Sequence, residues 1–203
     1  MALERVAESH GNWNSREQRE SPAGVIANFE IRELKRSELT RVREIDRTER
    51  IDVIYRQRGP RLEEVPGEWS AQPWRLGDGE HSVSEQHAAL VALVATGGIA
   101  LGAFDGERLV GIGVVVPHLR PGIAQLAYLY VSNRSRSTGI GTKLCNVLEK
   151  RASNSGDSEI VVSATPSVNT VRFYLNRGYR PMVDPLPELF ALEPDDVHLQ
   201  KRL

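Results

Sequence analysis

From Phe29 onward, apolar and polar positions fall into short, well-marked stretches. Phe29-Glu30-Ile31-Arg32-Glu33-Leu34 alternates apolar and charged residues, as a half-buried strand does. Leu39, Val42 and Ile45 follow Ser37 at three-residue spacing and predict a short capped amphipathic helix. Ile51, Ile54 and Tyr55 suggest a second helix from Glu49 to Gly59 with Thr48 as its cap. Pro60 to Glu80, dense in Pro, Gly and charge around Trp69 and Trp74, is expected to be a loop or irregular strand.

The second half is more regular. Ser84 to Ala95 reads as a helix stopped by Gly97-Gly98. Ile99 to Phe104, the turn Asp105-Gly106 and Leu109 to Val116 predict a hairpin ended by Pro117 and Pro121-Gly122. Ala124 to Val131 predicts an interior strand, with Ala124, Leu126, Tyr128 and Tyr130 on one face and Gln125, Ala127, Leu129 and Val131 on the other. Ile140, Leu144, Val147 and Leu148 predict a helix through Arg151. Next come a turn at Asn154 to Asp157, a buried strand from Glu159 to Ala164, a helix from Val168 to Arg177 stopped by Gly178, and a strand starting in Tyr179 to Val183. His198 to Lys201 is expected to close the sheet. Residues 1–27 are polar and unpatterned and are expected to be a mobile tail, leaving 28–203 as one domain.

Composition narrows the function. Hydrophobic residues make up 40% of the 203 and charged residues 26%, which suits a globular core. A net charge of -1 shows no bulk attraction to nucleic acid or to anionic lipid, and neither is expected as a partner. The acidic residues near Met1 and the short apolar runs point to a cytoplasmic chain without signal peptide or membrane span. Cys145 stands alone, so no disulfide and no cysteine zinc site is expected; beside Leu144 and Leu148 it reads as a small core residue. His81, His87, His118 and His198 are too scattered for a metal site, and Asn133-Arg134-Ser135 is a sequon without secretory context.

The chemistry concentrates between Tyr128 and Leu148. A buried strand ends at Val131, passes through Arg136-Ser137-Thr138-Gly139-Ile140-Gly141 and enters a helix. Glycines at such a turn let backbone N–H groups approach a ligand, and a helix N-terminus adds unpaired donors and partial positive charge, which suits a phosphate or pyrophosphate. Arg136 and Lys143 add formal charge. Two other phosphate loops fail locally: a Walker A loop needs Gly directly before Lys, and a dinucleotide fingerprint needs a small residue where Leu144 stands.

Arg136-x-x-Gly139-x-Gly141 after a strand resembles the acetyl-coenzyme-A loop of the GNAT superfamily of N-acetyltransferases. Asn169-Thr170-Val171-Arg172-Phe173-Tyr174-Leu175-Asn176-Arg177-Gly178-Tyr179 resembles that family's Asn-x-x-x-x-Phe-Tyr-x-x-x-Gly-Phe/Tyr block. The resemblance spans about Phe29 to Leu203. It implies a mixed, mostly antiparallel α/β sheet flanked by helices, whose fourth and fifth strands splay to admit the pantetheine arm. By position, Leu129, Tyr130 and Val131 would offer main-chain groups to that arm. Arg136, Ser137, Thr138, Gly139, Ile140, Gly141 and Thr142 would wrap the pyrophosphate, Asn169 would hold the pantetheine, and Phe173 would pack beside it. Tyr174 occupies the place of the general acid that protonates the departing thiolate.

The implied reaction is acetyl transfer from acetyl-coenzyme A, without a metal, to a primary amine of a small molecule or peptide, by direct attack in a ternary complex. Dimers are common among such relatives. The general base stays open. No Asp or Glu lies in Ala124 to Val131, and the candidates are Asp46, Glu49 or a water chain. That gap also leaves room for a non-catalytic GNAT-fold protein that binds coenzyme A or a partner as a sensor. A longer acyl donor is a third reading. Trp69 and Trp74 would either line the acceptor pocket or anchor a loop.

Overall fold

The structure, a computed structural model, describes residues 29–203; the tail expected over 1–27 lies outside them. A seven-stranded sheet carries the chain. It is built from β1 (Phe29–Glu33), β4 (Ile99–Asp105), β5 (Arg108–Arg120), β6 (Ile123–Val131), β7 (Glu159–Ala164), β9 (Val197–Arg202) and β8 (Arg180–Pro181), in that spatial order. Every neighbouring pair is antiparallel except β6 and β7. The expected mixed, mostly antiparallel α/β architecture is therefore present. A 3-10 helix (Arg36–Glu44) and α1 (Val83–Ala95) cover one face, and α2 (Ile140–Asn154) and α3 (Val168–Leu175) cover the other. A short α4 (Pro187–Leu192), absent from the sequence reading, precedes β9.

Glycine sets how closely α2 lies on the sheet. A Cβ on Gly111 would stand 2.9 Å from Ile140 and Leu144 atoms, and one on Gly113 would stand 2.6 Å from Leu148 Cδ1. Ile140, Leu144 and Leu148 form the i, i+4, i+8 row of α2 and are all buried. Bare backbone on β5 lets this row settle against the sheet, and that docking fixes where the N-terminus of α2 emerges.

Three expectations are corrected. Glu49–Arg58 is not a helix capped by Thr48 but a strand, β2, paired antiparallel with β3 (Arg61–Ala71) in a separate two-stranded sheet. Ile51, Ile54 and Tyr55 fit either period; Val53, the β-branched and aromatic content and the two-residue Gly59-Pro60 turn favour pairing, with Gly59 at φ +56°. Thr48 instead donates through N and Oγ1 to Asp46 Oδ1, at 3.0 and 2.6 Å, closing a turn ahead of β2. Pro60 to Glu80 holds the expected irregular strand, Arg61–Ala71, whose register with β2 shifts between Trp69 and Pro66, followed by loop over 72–80. β5 runs past Pro117 to Arg120, because the register breaks between Val116 and Arg120 and the ring falls where no ladder bond is required.

The third correction lies in β6. Val114 pairs with Tyr128 but Val115 pairs with Leu126, so Ala127 is an extra residue and the strand bulges there. Ala124 and Leu126 join the α2-side core together with Leu129 and Val131. Tyr128 and Tyr130 face the α1 side. The unbroken alternation expected from the sequence would have put all four even-numbered residues on one face.

Candidate functional site

β6 and β7 pair only over Ile123–Gln125 and Glu159–Val161. Beyond Gln125 the two parallel strands part, and among the described residues the edge of β6 facing β7 has no strand partner up to Val131. This opening leads to the loop that enters α2. Gly139 is the N-cap of α2, at φ +88°, and provides no side-chain cap. Among the described residues, the backbone amides from Ser137 through Thr142 donate to no acceptor; the first that does is Lys143, to Gly139 O at 3.0 Å. Ser137, at φ +62°, and Gly139 turn the chain so that consecutive N–H groups form a concave, partly positive surface. Among the described residues, a Cβ built on Gly139 meets nothing within 4 Å, so none of them closes the loop in front of those amides.

The formal charges expected there are engaged elsewhere. The Arg136 guanidinium donates to Glu49 Oε2 at 2.9 Å, to Arg47 O at 3.2 Å and to Val131 O at 3.3 Å. Lys143 Nζ lies 4.4 Å from the centre of the Phe29 ring. An anion at this loop would be held by main-chain donors and the helix dipole rather than by these side chains. Gly141 lies between Val131 and Phe173, each of which has an atom 3.5 Å from its virtual Cβ, so the strand end, the loop and α3 converge. An unpaired strand edge that leads to an amide nest suits an extended molecule with an anionic group at one end.

Tyr174 is 4% exposed and packs edge-on between Phe173 and Tyr179, with centroids 5.1 and 5.2 Å away. Among the described residues its hydroxyl makes no hydrogen bond. Burial pushes this phenol well above its ordinary value, so it stays protonated at neutral pH. Asn169 Nδ2 donates to Glu49 Oε1 at 2.9 Å, so Glu49 joins Asn169 of α3 to Arg136 of the loop. Asp46 is occupied by Thr48, which holds its carboxyl below the usual range. Both carboxylates offered by the sequence as bases are therefore hydrogen-bonded into the frame. Cys145 is fully buried, and burial followed by the Glu149 charge pushes its thiol up to about 12, leaving no thiolate for a covalent route.

The second hairpin closes the other side. Asn133, just past β6, donates through N to Asp46 O at 2.8 Å and through Nδ2 to Thr48 O at 2.7 Å. Tyr55 N donates to Pro166 O at 2.7 Å, at the end of β7. Gln57 Nε2 reaches Met182 O and His198 O, while its Oε1 accepts from His198 N at 2.7 Å. β2 thus crosses from the end of β6 past the end of β7 to β9. Trp74 is buried with its edge on Tyr130, 5.4 Å between centroids, and Arg47 stacks over it; its Nε1 has no partner. Trp69 is 44% exposed on β3.

Residues 81–188 match the family model described as an acetyltransferase (GNAT) domain. The chain belongs to the GNAT acetyltransferase family. An uncharacterized N-acetyltransferase, YjcF, of Bacillus subtilis (strain 168) is 34% identical over 77 residues, 38% of this chain and 52% of its own. The chain thus spans about half the length of this curated relative. Among solved structures, nourseothricin acetyltransferase superposes with a TM-score of 0.64 at 14% identity, covering 86% of this chain and 98% of its own. A putative streptothricin acetyltransferase from Bacillus anthracis str. Ames, in complex with acetyl coenzyme A, gives 0.59 at 16% identity, with coverages of 86% and 98%. PaiA N-acetyltransferase from Thermoplasma acidophilum, in complex with coenzyme A, gives 0.58 at 17%, with 87% and 99%. At these identities the likeness is one of fold.

Sequence reasoning passed over two features of this GNAT domain. One is the role of Glu49 as a tie between Arg136 and Asn169. The other is Asp196, directly before β9, in the run Glu193-Pro194-Asp195-Asp196. Three acids in four residues ahead of the closing strand were the available signal. Among the described residues, no group of three or more His, Cys, Asp or Glu is arranged to hold a metal, and no helix is long and apolar enough to cross a membrane.

Proposed function

We propose that this GNAT protein transfers an acetyl group from acetyl-coenzyme A to a primary amine by direct attack in a ternary complex. One observation carries the reading: the opening between β6 and β7 ends at unpaired amides from Ser137 through Thr142 on an uncapped helix N-terminus. In this reading Leu129, Tyr130 and Val131 offer main-chain groups along the pantetheine. Ser137 to Thr142 receive the pyrophosphate, and Phe173 packs beside the thioester arm. Arg136 and Asn169, held by Glu49, keep the loop and α3 at a fixed separation. Tyr174 keeps its proton at neutral pH and presents it to the sulfur that leaves. The acceptor is an amine-bearing small molecule or peptide that enters on the side of Tyr128, Tyr130 and Trp74.

The test is calorimetric titration of acetyl-coenzyme A into the wild type and into Gly139→Asp. The substitution places a side chain and a negative charge in front of the amides, on a backbone that disfavours non-glycine residues. Binding by the wild type and at least 100-fold weaker binding by a variant with unchanged far-UV circular dichroism supports the reading. Equal binding by the two proteins overturns the assignment of this loop, and no binding by the wild type overturns the activity.

A further inference from the structure

A direct transfer needs a group that takes a proton from the acceptor ammonium, and the obvious carboxylates are occupied. Glu49 has one oxygen on Arg136 and the other on Asn169, and Asp46 is closed on Thr48. Asp196 differs. It sits one residue before Val197, which pairs with Ala164, so it lies at the end of β7 that has parted from β6. Among the described residues its carboxylate has neither a hydrogen bond nor an ion pair, and only its backbone N is engaged, with Glu193 O at 3.2 Å. Its charge reaches both Tyr130, which faces the α1 side, and Tyr174, buried on the α2 side. By register, Asp196 stands at the C-terminal end of β7, past the last residues that pair β7 with β6. Tyr174, 4% exposed in the α2-side core, makes no side-chain hydrogen bond among the described residues.

The electrostatics agree with a proton-accepting role. Desolvation, then the charges of Glu193 and Asp195, raise the Asp196 carboxyl to about 7, within the range where a general base works best at neutral pH. The titratable groups facing it are Tyr130, Tyr174, Glu193 and Asp195. The cations whose charge bears on Tyr130 and Tyr174 are engaged elsewhere: Arg47 donates to Gln72 O at 2.6 Å, and Arg177 pairs with Glu149.

We infer that Asp196 is the general base of the acetyl transfer, taking a proton from the acceptor's ammonium at the open end of β7. The inference rests on the acetyltransferase reading above. Asp196 takes one proton from R–NH3+ and releases it to solvent. The neutral nitrogen forms the C–N bond to the thioester carbonyl carbon, and the C–S bond breaks. Tyr174 protonates the sulfur and regains a proton from the nitrogen, so the products are the amide, the free thiol and one released proton.

The test compares the wild type with Asp196→Asn and Asp196→Glu. Side-chain 13C NMR of labelled aspartate would follow the carboxylate with and without spermidine as the cationic probe. Rates with spermidine, an aminoglycoside and a lysine-containing peptide would be measured at saturating acetyl-coenzyme A from pH 5 to 9. The expected result is a resonance that titrates near 7, moves with spermidine and is missing from Asp196→Asn. Turnover by Asp196→Asn should fall at least 100-fold at pH 7 and lose the rise in kcat/KM between pH 6 and 8, with partial recovery in Asp196→Glu. The acetyl-coenzyme A Kd should stay within twofold. A resonance titrating near 4, one that ignores spermidine, or an Asn variant that keeps its rate and pH profile overturns the inference. Failure of the wild type to bind acetyl-coenzyme A strikes the underlying reading instead, so the two failures separate.

Discussion

The two walls of the opening are made differently. On one side the glycine loop and α2 follow one another in the chain, and α2 is seated by its own apolar row against Gly111 and Gly113. On the other, β2 and β3 form a two-stranded sheet that could not stand alone in water, and it is held by tethers to distant segments. Asn133 ties its start, Pro166 its middle and His198 its end. A wall built by packing should respond to lost volume, and a wall built by tethers should respond to lost hydrogen bonds.

The largest expected effect belongs to the packed wall. Leu148→Ala should cost about 2–5 kcal/mol in a urea titration, since the side chain is fully buried and its site is closed by the sheet. Gln57→Ala should cost about 1–3 kcal/mol, leaving the His198 amide and the carbonyls of Gly59 and Met182 short of a partner. Its clearer signature is local: hydrogen exchange in β2 should accelerate while α2 stays protected. Equal acceleration in both would dissolve the contrast between the walls.

Asp196→Asn should stabilise the fold in alkaline solution. A carboxyl raised to about 7 in the folded state keeps its proton between pH 4 and 7 while the unfolded chain has released it. Stability is thus lost as pH rises through that window, and removing the charge should return about 1 kcal/mol at pH 8 and nothing at pH 3.5, given the partly exposed position. Glu49→Gln should do least to stability, under about 1 kcal/mol by the same titration, because its partner Arg136 is a third exposed.

The contrast also separates what the sequence shows from what it conceals. Ile140, Leu144 and Leu148 announce α2 by period alone, and Asn169 to Tyr179 announce α3 and its turn by local order. The run Ile51, Ile54, Tyr55 satisfies two periods at once, and only its pairing with β3 decides between them. Ala127 reads as one more strand residue, because the phase of the alternation is set by register with β5. The ties Glu49–Asn169 and Gln57–His198 join residues 120 and 141 positions apart, and composition carries no trace of such meetings. Asp196 was hidden for a related reason: its carboxylate matters because the ends of β6 and β7 separate beside it.

The Gln57 tether also bears on the order of assembly during synthesis. The β2–β3 hairpin leaves the ribosome early, yet two of its anchors, Met182 and His198, emerge 125 and 141 residues later. Until then the hairpin has nothing to lean on at that end, whereas α2 finds its seat on β5 as soon as it appears. A nascent chain paused before β9 should therefore expose the hairpin to protease while already shielding α2.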